Sequence, residues 1–313
     1  MRRDAGLSDE YWTQYYSPEE VDEIRSSTTT TTIVSGGLPV HVRIYERGAS
    51  APTVLVSHGL LTYGLQLARL QLPFYRAGFN VVQWDMLGFG QSGGMRSGCT
   101  IEQGIQAWKD AMAWTLEEFG EPIYLLGFGE DGTVGYYALA NHPAVHAMTF
   151  HNLWEYGTPE AMAWQGAPWL LSLKRAYLSV AHRLWPTRTV EMHEAVPWDD
   201  LFGPEGRWPF RELFEHDPLR NEGYRYRLVY SMLRKRPLPV PFEECRTPIQ
   251  LVSSELNELW SYDLNVRTYQ RLGCEKELVT LEGKPHWEWT REFDETYCAH
   301  AIRWYRQHGA NVA

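Results

Sequence analysis

Residues 122–143, Pro-Ile-Tyr-Leu-Leu-Gly-Phe-Gly-Glu-Asp-Gly-Thr-Val-Gly-Tyr-Tyr-Ala-Leu-Ala-Asn-His-Pro, pass from a buried strand through a glycine-packed turn into a helix. A sharp strand-to-helix turn of this kind exposes one side chain. The pattern small-x-nucleophile-x-small serves acyl transfer, because only small residues leave room around the attacking atom. Read without gaps, Gly127 is the first small residue, Phe128 follows, and Gly129 takes the nucleophile position. Glu130, Asp131 and Gly132 then enter the helix. Glycine has no side chain with which to attack a carbonyl, so the setting is that of a hydrolytic site whose key atom is missing.

Other residues of the turn invite chemistry of their own. Sliding the pattern by two residues makes Asp131 the nucleophile, with Gly129 and Thr133 as the small positions. In the ungapped register an acid there has a plainer use, complementing the helix dipole and accepting backbone N–H bonds. Gly127-Phe-Gly-Glu-Asp-Gly132 also fits Gly-x-Gly-x-x-Gly after a strand, the spacing of a dinucleotide site. Two acids in the loop would repel a pyrophosphate, three strands come earlier, and the next strand ends in His151-Asn152 with no acid at its tip. The similar Gly88-Phe-Gly-Gln-Ser-Gly93 has no strand running directly into it.

The elements that must position this turn are short apolar strands alternating with helices. Thr30–Val34 suits a first strand, and Val40–Glu46 alternates as an antiparallel strand. Thr53–Ser57, Val81–Trp84, Ile123–Leu126 and Ala147–His151 read as buried strands, with helical patterns at Glu10–Ile24, Gln66–Ala77 and Ile101–Phe119 between or before them. Continuous apolar strands separated by helices predict an α/β fold, a mostly parallel central sheet covered on both faces. Residues 154–243 break that rhythm. They are rich in Trp and Pro, with Trp154, Trp164, Trp169, Trp185, Trp198 and Trp208, and read as an inserted helical cap of short helices. The rhythm resumes at Pro248–Ser253 and Glu277–Leu281 and closes with a helix at Glu292–His308. The expected organisation is an N-terminal extension (1–36), a core (37–153 and 244–313) and the cap (154–243).

Composition narrows the function classes. A net charge of −10 opposes binding to nucleic acid or to an anionic membrane, both of which need a basic face. Cys99, Cys245, Cys274 and Cys298 show no metal-ligand spacing and no disulfide framework, as in a cytoplasmic protein with reduced thiols. Two arginines follow Met1 without an apolar run behind them, so no signal peptide is expected. No apolar run approaches the ~18 residues that span a bilayer.

Three segments together resemble the α/β-hydrolase superfamily. Val54-Leu-Val-Ser-His-Gly-Leu-Leu61 looks like its strand followed by His-Gly, and Gln83-Trp-Asp-Met-Leu-Gly-Phe-Gly-Gln-Ser92 matches its Asp-x-x-Gly-x-Gly-x-Ser loop. The third is the turn itself, with Pro143 falling 14 residues after Gly129, at the spacing of the family's His-Pro. The cap is most similar to those of the monoacylglycerol-lipase or serine-aminopeptidase-like branch, where Asp217-Pro-Leu and Arg246-Thr-Pro248 have parallels. The resemblance covers 38–152 and 244–310 and implies the α/β-hydrolase fold with a helical cap. It assigns the oxyanion hole to the N–H groups of Leu60 or Leu61 and of Glu130. His286, in Leu281-Glu-Gly-Lys-Pro-His-Trp, resembles the catalytic histidine. The acid position, about nine residues past Thr-Pro, falls on Asn257, with Glu258 and Glu255 beside it. An asparagine can orient an imidazole but cannot stabilise imidazolium by charge. The aspartate register at Asp131 is that of the epoxide-hydrolase and dehalogenase branch.

These assignments leave His286 as a general base without a serine. It can activate a water in the space of the missing hydroxyl, or take a proton from the substrate in a lyase, cyclase or decarboxylase type of reaction. A third outcome is a pocket that binds without turnover. Phe128, Trp287 and Trp154 are the expected lining, and an aromatic lid suggests a small apolar or aromatic carbonyl compound. Neither metal nor cofactor is expected.

Overall fold

A computed structural model describes residues 16–163, 166–191, 217–221 and 223–310. Chain entry is a helix, α1 (Pro18–Ser27), started by a Ser17–Glu20 capping box. It lies later than the Glu10–Ile24 pattern, part of which falls outside the described residues. Strand β1 (Thr28–Ser35) carries the threonine run and pairs antiparallel with β2 (Leu38–Tyr45) in one continuous register. β1 pairs with β2 alone, which makes it the sheet edge that polar β-branched residues tolerate.

The central sheet has eight strands in the order β1-β2-β4-β3-β5-β6-β9-β10. Beyond β1 and β2 its strands are β3 (Thr53–Val56), β4 (Asn80–Trp84), β5 (Ile123–Phe128), β6 (Val145–His151), β9 (Ile249–Ser254) and, at the other edge, β10 (Lys276–Leu281). From β4 onward every pairing is parallel, and only β1–β2 and β2–β4 run antiparallel. β3, β4 and β5 are buried along their whole length, as strands covered on both faces must be. The covering helices are α2 (Ala68–Arg76), α3 (Ile101–Phe119), α4 (Gly129–Leu139), α7 (Tyr262–Arg271) and α8 (Arg291–Gln307). Thr100 and Gln103 close a capping box on α3, which begins where the sequence pattern begins.

The inserted region is less fragmented than its Trp- and Pro-rich sequence implies. It holds a 17-residue helix, α5 (Pro168–Leu184), a two-stranded antiparallel ribbon of β7 (Thr189–Glu191) and β8 (Gly223–Arg225), and a short α6 (Tyr226–Leu233). Arg175 secures α5 to the carbonyls of Leu233 and Gly157. Trp169 and Trp185, expected in an aromatic lid, are exposed. Trp164, Trp198 and Trp208 lie outside the described residues. The returning limb is anchored by Asp217, whose Oδ2 accepts from Tyr63 Oη (2.8 Å) and Gln66 Nε2 (2.7 Å) in the segment after β3.

Candidate active site

β5 ends at Phe128 and α4 begins at Gly129, which has a φ of +51°, the left-handed region that a sharp turn demands. A Cβ built on Gly129 would meet nothing within 4 Å. The turn therefore has room for a side chain at its apex. The small residues beside it are small for a different reason: a Cβ on Gly127 would come 2.6 Å from Gly132 Cα, and one on Gly132 would come 2.6 Å from Gly127 C. Strand and helix touch backbone to backbone there. The apex is held from the neighbouring strand end by Ser57, whose Oγ accepts the Phe128 N–H at 3.2 Å.

Asp131 is not at the apex. It lies in the first turn of α4, fully buried, with Oδ1 accepting from Trp108 Nε1 of α3 at 3.2 Å. Burial holds its carboxyl well above the usual range, against the Trp108 N–H, and the neighbouring Glu130 raises it further. Its side chain packs towards α3, so the alternative that makes it the nucleophile loses its geometry. Glu130 is buried as well, its carboxyl pushed up to about 8 by desolvation, which the Tyr156 hydroxyl and Arg236 only partly oppose. The Glu130 N–H, in the first turn of α4, has no intrahelical acceptor. Leu60 and Leu61 occupy the turn after β3, and no hydrogen bond engages their N–H groups among the described residues.

Two motif residues hold this end of the sheet together. His58 donates from Nδ1 to the Gly59 carbonyl (2.9 Å) and accepts the Met86 N–H on Nε2 (2.9 Å). Asp85 accepts the N–H groups of Gly64 (2.7 Å) and Gln91 (2.9 Å), while Ser92 Oγ donates to the Asp85 carbonyl (2.6 Å). The glycine-rich loop is thus a brace between strand ends.

His286 sits on the loop after β10, half-buried, with its ring 4.7 Å from that of His151 and 5.3 Å from that of Trp260 between centroids. Its Nδ1 is buried and has no hydrogen-bond partner. Burial lowers its pKa to about 3, with no charged neighbour opposing the shift. None of the three acid candidates reaches it. Asn257 Oδ1 accepts from the N–H groups of Leu259 and Trp260, and its Nδ2 donates to Asn152. Glu255 is exposed and accepts the Gly283 N–H at 2.8 Å, and Glu258 is exposed. The physical reason is the turn at 257–260, which folds the Asn257 amide back onto its own backbone.

Phe128, Trp154 and Trp287 are buried. Trp154 stacks on Trp260 at 4.2 Å, and Phe128 and Trp287 form one ring cluster with Tyr297. They make the wall behind the imidazoles. The residue that the sequence reading missed is His151, at the tip of β6 and opposite Phe128 in the sheet register. Its only sequence signal was its place, one strand over from the apex, where an acid was sought and not found. Burial and the adjoining His286 keep its pKa well below the ordinary histidine value. Among the described residues no group of three or more His, Cys, Asp or Glu side chains is placed to hold a metal ion.

The raised carboxyls have a measurable consequence. Glu130 keeps its proton in the folded chain up to about pH 8 but loses it near 4.5 when unfolded. The folded state therefore binds the extra proton in between, and stability falls as pH rises across that window, by about 1.4 kcal/mol per pH unit for each such proton. Urea unfolding between pH 6.5 and 8 should carry this contribution, which the lowered His151 and His286 oppose near pH 6.5 where an unfolded histidine titrates, and Glu130→Gln should remove about one proton's share of the fall. An unchanged slope in that variant would place the titration elsewhere.

The family described as serine aminopeptidase, S33, matches residues 48–290. Among solved structures, the monoacylglycerol lipase of Paleococcus ferrophilus aligns with a TM-score of 0.63 at 18% identity, over 85% of this chain and 98% of that one. A soluble variant of the monoglyceride lipase of Saccharomyces cerevisiae aligns at 0.69 and 12%, over 91% and 96%. A thermostable carboxyl esterase from Bacillus coagulans aligns at 0.67 and 14%, over 90% and 99%. No curated protein matches the sequence.

Proposed function

The chain belongs to the serine aminopeptidase S33 family of the α/β-hydrolases, and from that premise we propose that it acts on a small apolar or aromatic carbonyl compound, ester-like, without forming an acyl-enzyme. One observation carries the reading: the left-handed apex is occupied by Gly129, with open space where a nucleophile's Cβ would stand. His286 is then the acid–base residue. It serves as general base, towards a water or a substrate proton, when its own proton sits on Nδ1, and as a hydrogen-bond donor to the carbonyl oxygen when it sits on Nε2. The N–H groups of Leu60 or Leu61 and of Glu130 supply the oxyanion contacts. Oxyanion stabilisation of this kind is worth about 3–4 kcal/mol per donor, enough for turnover without a covalent intermediate.

The test is a fluorophosphonate probe beside a panel of small aryl and alkyl esters. Turnover with no labelled residue supports the reading; labelling of another side chain in the unsubstituted protein overturns it. Gly129→Ser should acquire labelling, but slowly, because no carboxylate stands behind His286. In serine hydrolases loss of that carboxylate alone costs about 10⁴ in rate. A second reading, ligand binding without turnover, is favoured by the low basicity of His286. It wins if both forms are inert while an apolar ester binds by calorimetry.

A further inference from the structure

We propose that the outer face of α5, together with the arginine-lined cleft at its C-terminal end, docks the protein on an anionic lipid surface. Docking of this kind is independent of the compound that the active site turns over.

Six of the nine large apolar side chains that stand exposed among the described residues lie between Trp169 and Trp185. At about 100° per residue, Trp169, Leu173, Tyr177, Val180 and Leu184 fall within about 80° of one another, so they form one stripe along the helix. The opposite face is already used. Leu171, Leu178 and Ala181 are buried, the His182 ring stacks on that of Tyr230 at 4.6 Å, and Arg175 bonds the carbonyls of Leu233 and Gly157. The stripe is therefore a second apolar face on a helix that its first face holds in place. Contiguous apolar surface left in water marks a place of attachment.

Charge selects the occupant. The chain carries −10 overall, yet between Glu160 and Glu191 it has Lys174, Arg175, Arg183 and Arg188 and no acid. At the end of α5 a cleft of about 480 Å³ is lined by Arg183, by Arg227 and Arg234 of α6, and by Thr100 and Glu102 at the start of α3. Glu102, the one acid lining it, is already committed to Arg236, to Arg234 (3.4 Å) and to Ser231 (3.1 Å). Arg183 is exposed and has no polar partner among the described residues, and Arg227 donates to the neutral Gln103 amide at 3.0 Å. This surplus of cations, beside the N-terminal end of the 19-residue α3, favours a phosphate. A lipid headgroup would sit in the cleft while the stripe, ending beside it at Leu184, lies among acyl chains. Trp169 and Trp185, at the two ends, suit the boundary between headgroups and hydrocarbon. An apolar face with cations beside it is the pattern of a helix that lies in the membrane interface without crossing it. Nucleic acid would leave Leu173, Val180 and Leu184 in water, and a second copy seated on the same face would set these cations against themselves.

Co-sedimentation of the full chain with lipid vesicles is the test. The protein should pellet with vesicles of equal parts phosphatidylcholine and phosphatidylglycerol, far less with phosphatidylcholine alone, and should be released as salt is raised. Leu173→Ser should weaken the partition about tenfold, the worth of one buried leucine. Arg183→Gln should weaken it about fivefold, the worth of one cation at an anionic surface. Both side chains are exposed, so the melting temperature should not change in either variant. Equal binding to both kinds of vesicle, or to neither, overturns the proposal. So does binding that Leu173→Ser leaves intact, which would reduce the cleft to a phosphate site without a docked helix. Light scattering that shows a dimer broken by Leu173→Ser overturns it too, by assigning the face to a second copy.

Discussion

His286→Ala should lower turnover of a small ester by about 10²–10⁴-fold, the range a positioned acid–base residue contributes. Gly129 has no side chain, Asp131 packs against Trp108, and Glu255 and Glu258 are exposed. The substitution removes a half-buried ring, so the fold should tolerate it. The pH profile adds a second signature. A triad histidine near its ordinary pKa gives an acid limb between pH 6 and 7, whereas His286, lowered to about 3, should give a flat profile from pH 5 to 8. Steady-state rates for the two proteins across that range decide it. An acid limb near 6.5 would mean that a charged partner reaches the ring.

Gly132→Ala should be strongly damaging for the addition of one methyl group. Its Cβ would stand 2.6 Å from Gly127 C and 2.9 Å from Gly127 O, backbone atoms that no rotamer can move aside. α4 would have to lift off β5. We expect a loss of about 3 kcal/mol or more, beyond ordinary overpacking of a core. For a chain of this size that is a drop of roughly 5 °C or more in melting temperature. Gly129→Ala is the control, since it meets no atom within 4 Å and bears only the left-handed cost of about 1–2 kcal/mol. Thermal melts in which the two variants lose equal stability would remove the argument for close strand–helix contact.

The apex was legible because its constraints are local. Gly127, Gly129 and Gly132 announce a crowded turn at fixed spacing, and the strands around it are continuous apolar runs whose ends fell within a residue or two of the pattern. The resemblance located His286 on its loop. What escaped has long-range causes. Asn152, Asn257 and Asn265 form one polar knot across 113 residues of sequence, and no spacing rule joins an asparagine at a strand tip to one in the middle of a helix. Counting from Pro248 found Asn257 but not what it faces, because the 257–260 turn decides that. Asp131 and Glu130 look like ordinary first-turn acids, and only the packing of α3 and the cap onto α4 shows that both are dry. The tryptophans misled in the opposite direction. Their frequency suggested a ligand-facing lid, whereas Trp154 and Trp287 are buried in ring clusters and Trp169 and Trp185 are exposed.

The Asp217 anchor makes two regions of the molecule mechanically dependent. Its carboxylate grips Tyr63 and Gln66, and the same short segment begins at the turn bearing Leu60 and Leu61. Any ligand large enough to push the returning limb outward must therefore tug on the residues that would cradle its oxygen. Size discrimination would then act at a distance: a bulky guest would slacken the cradle before it met a steric wall.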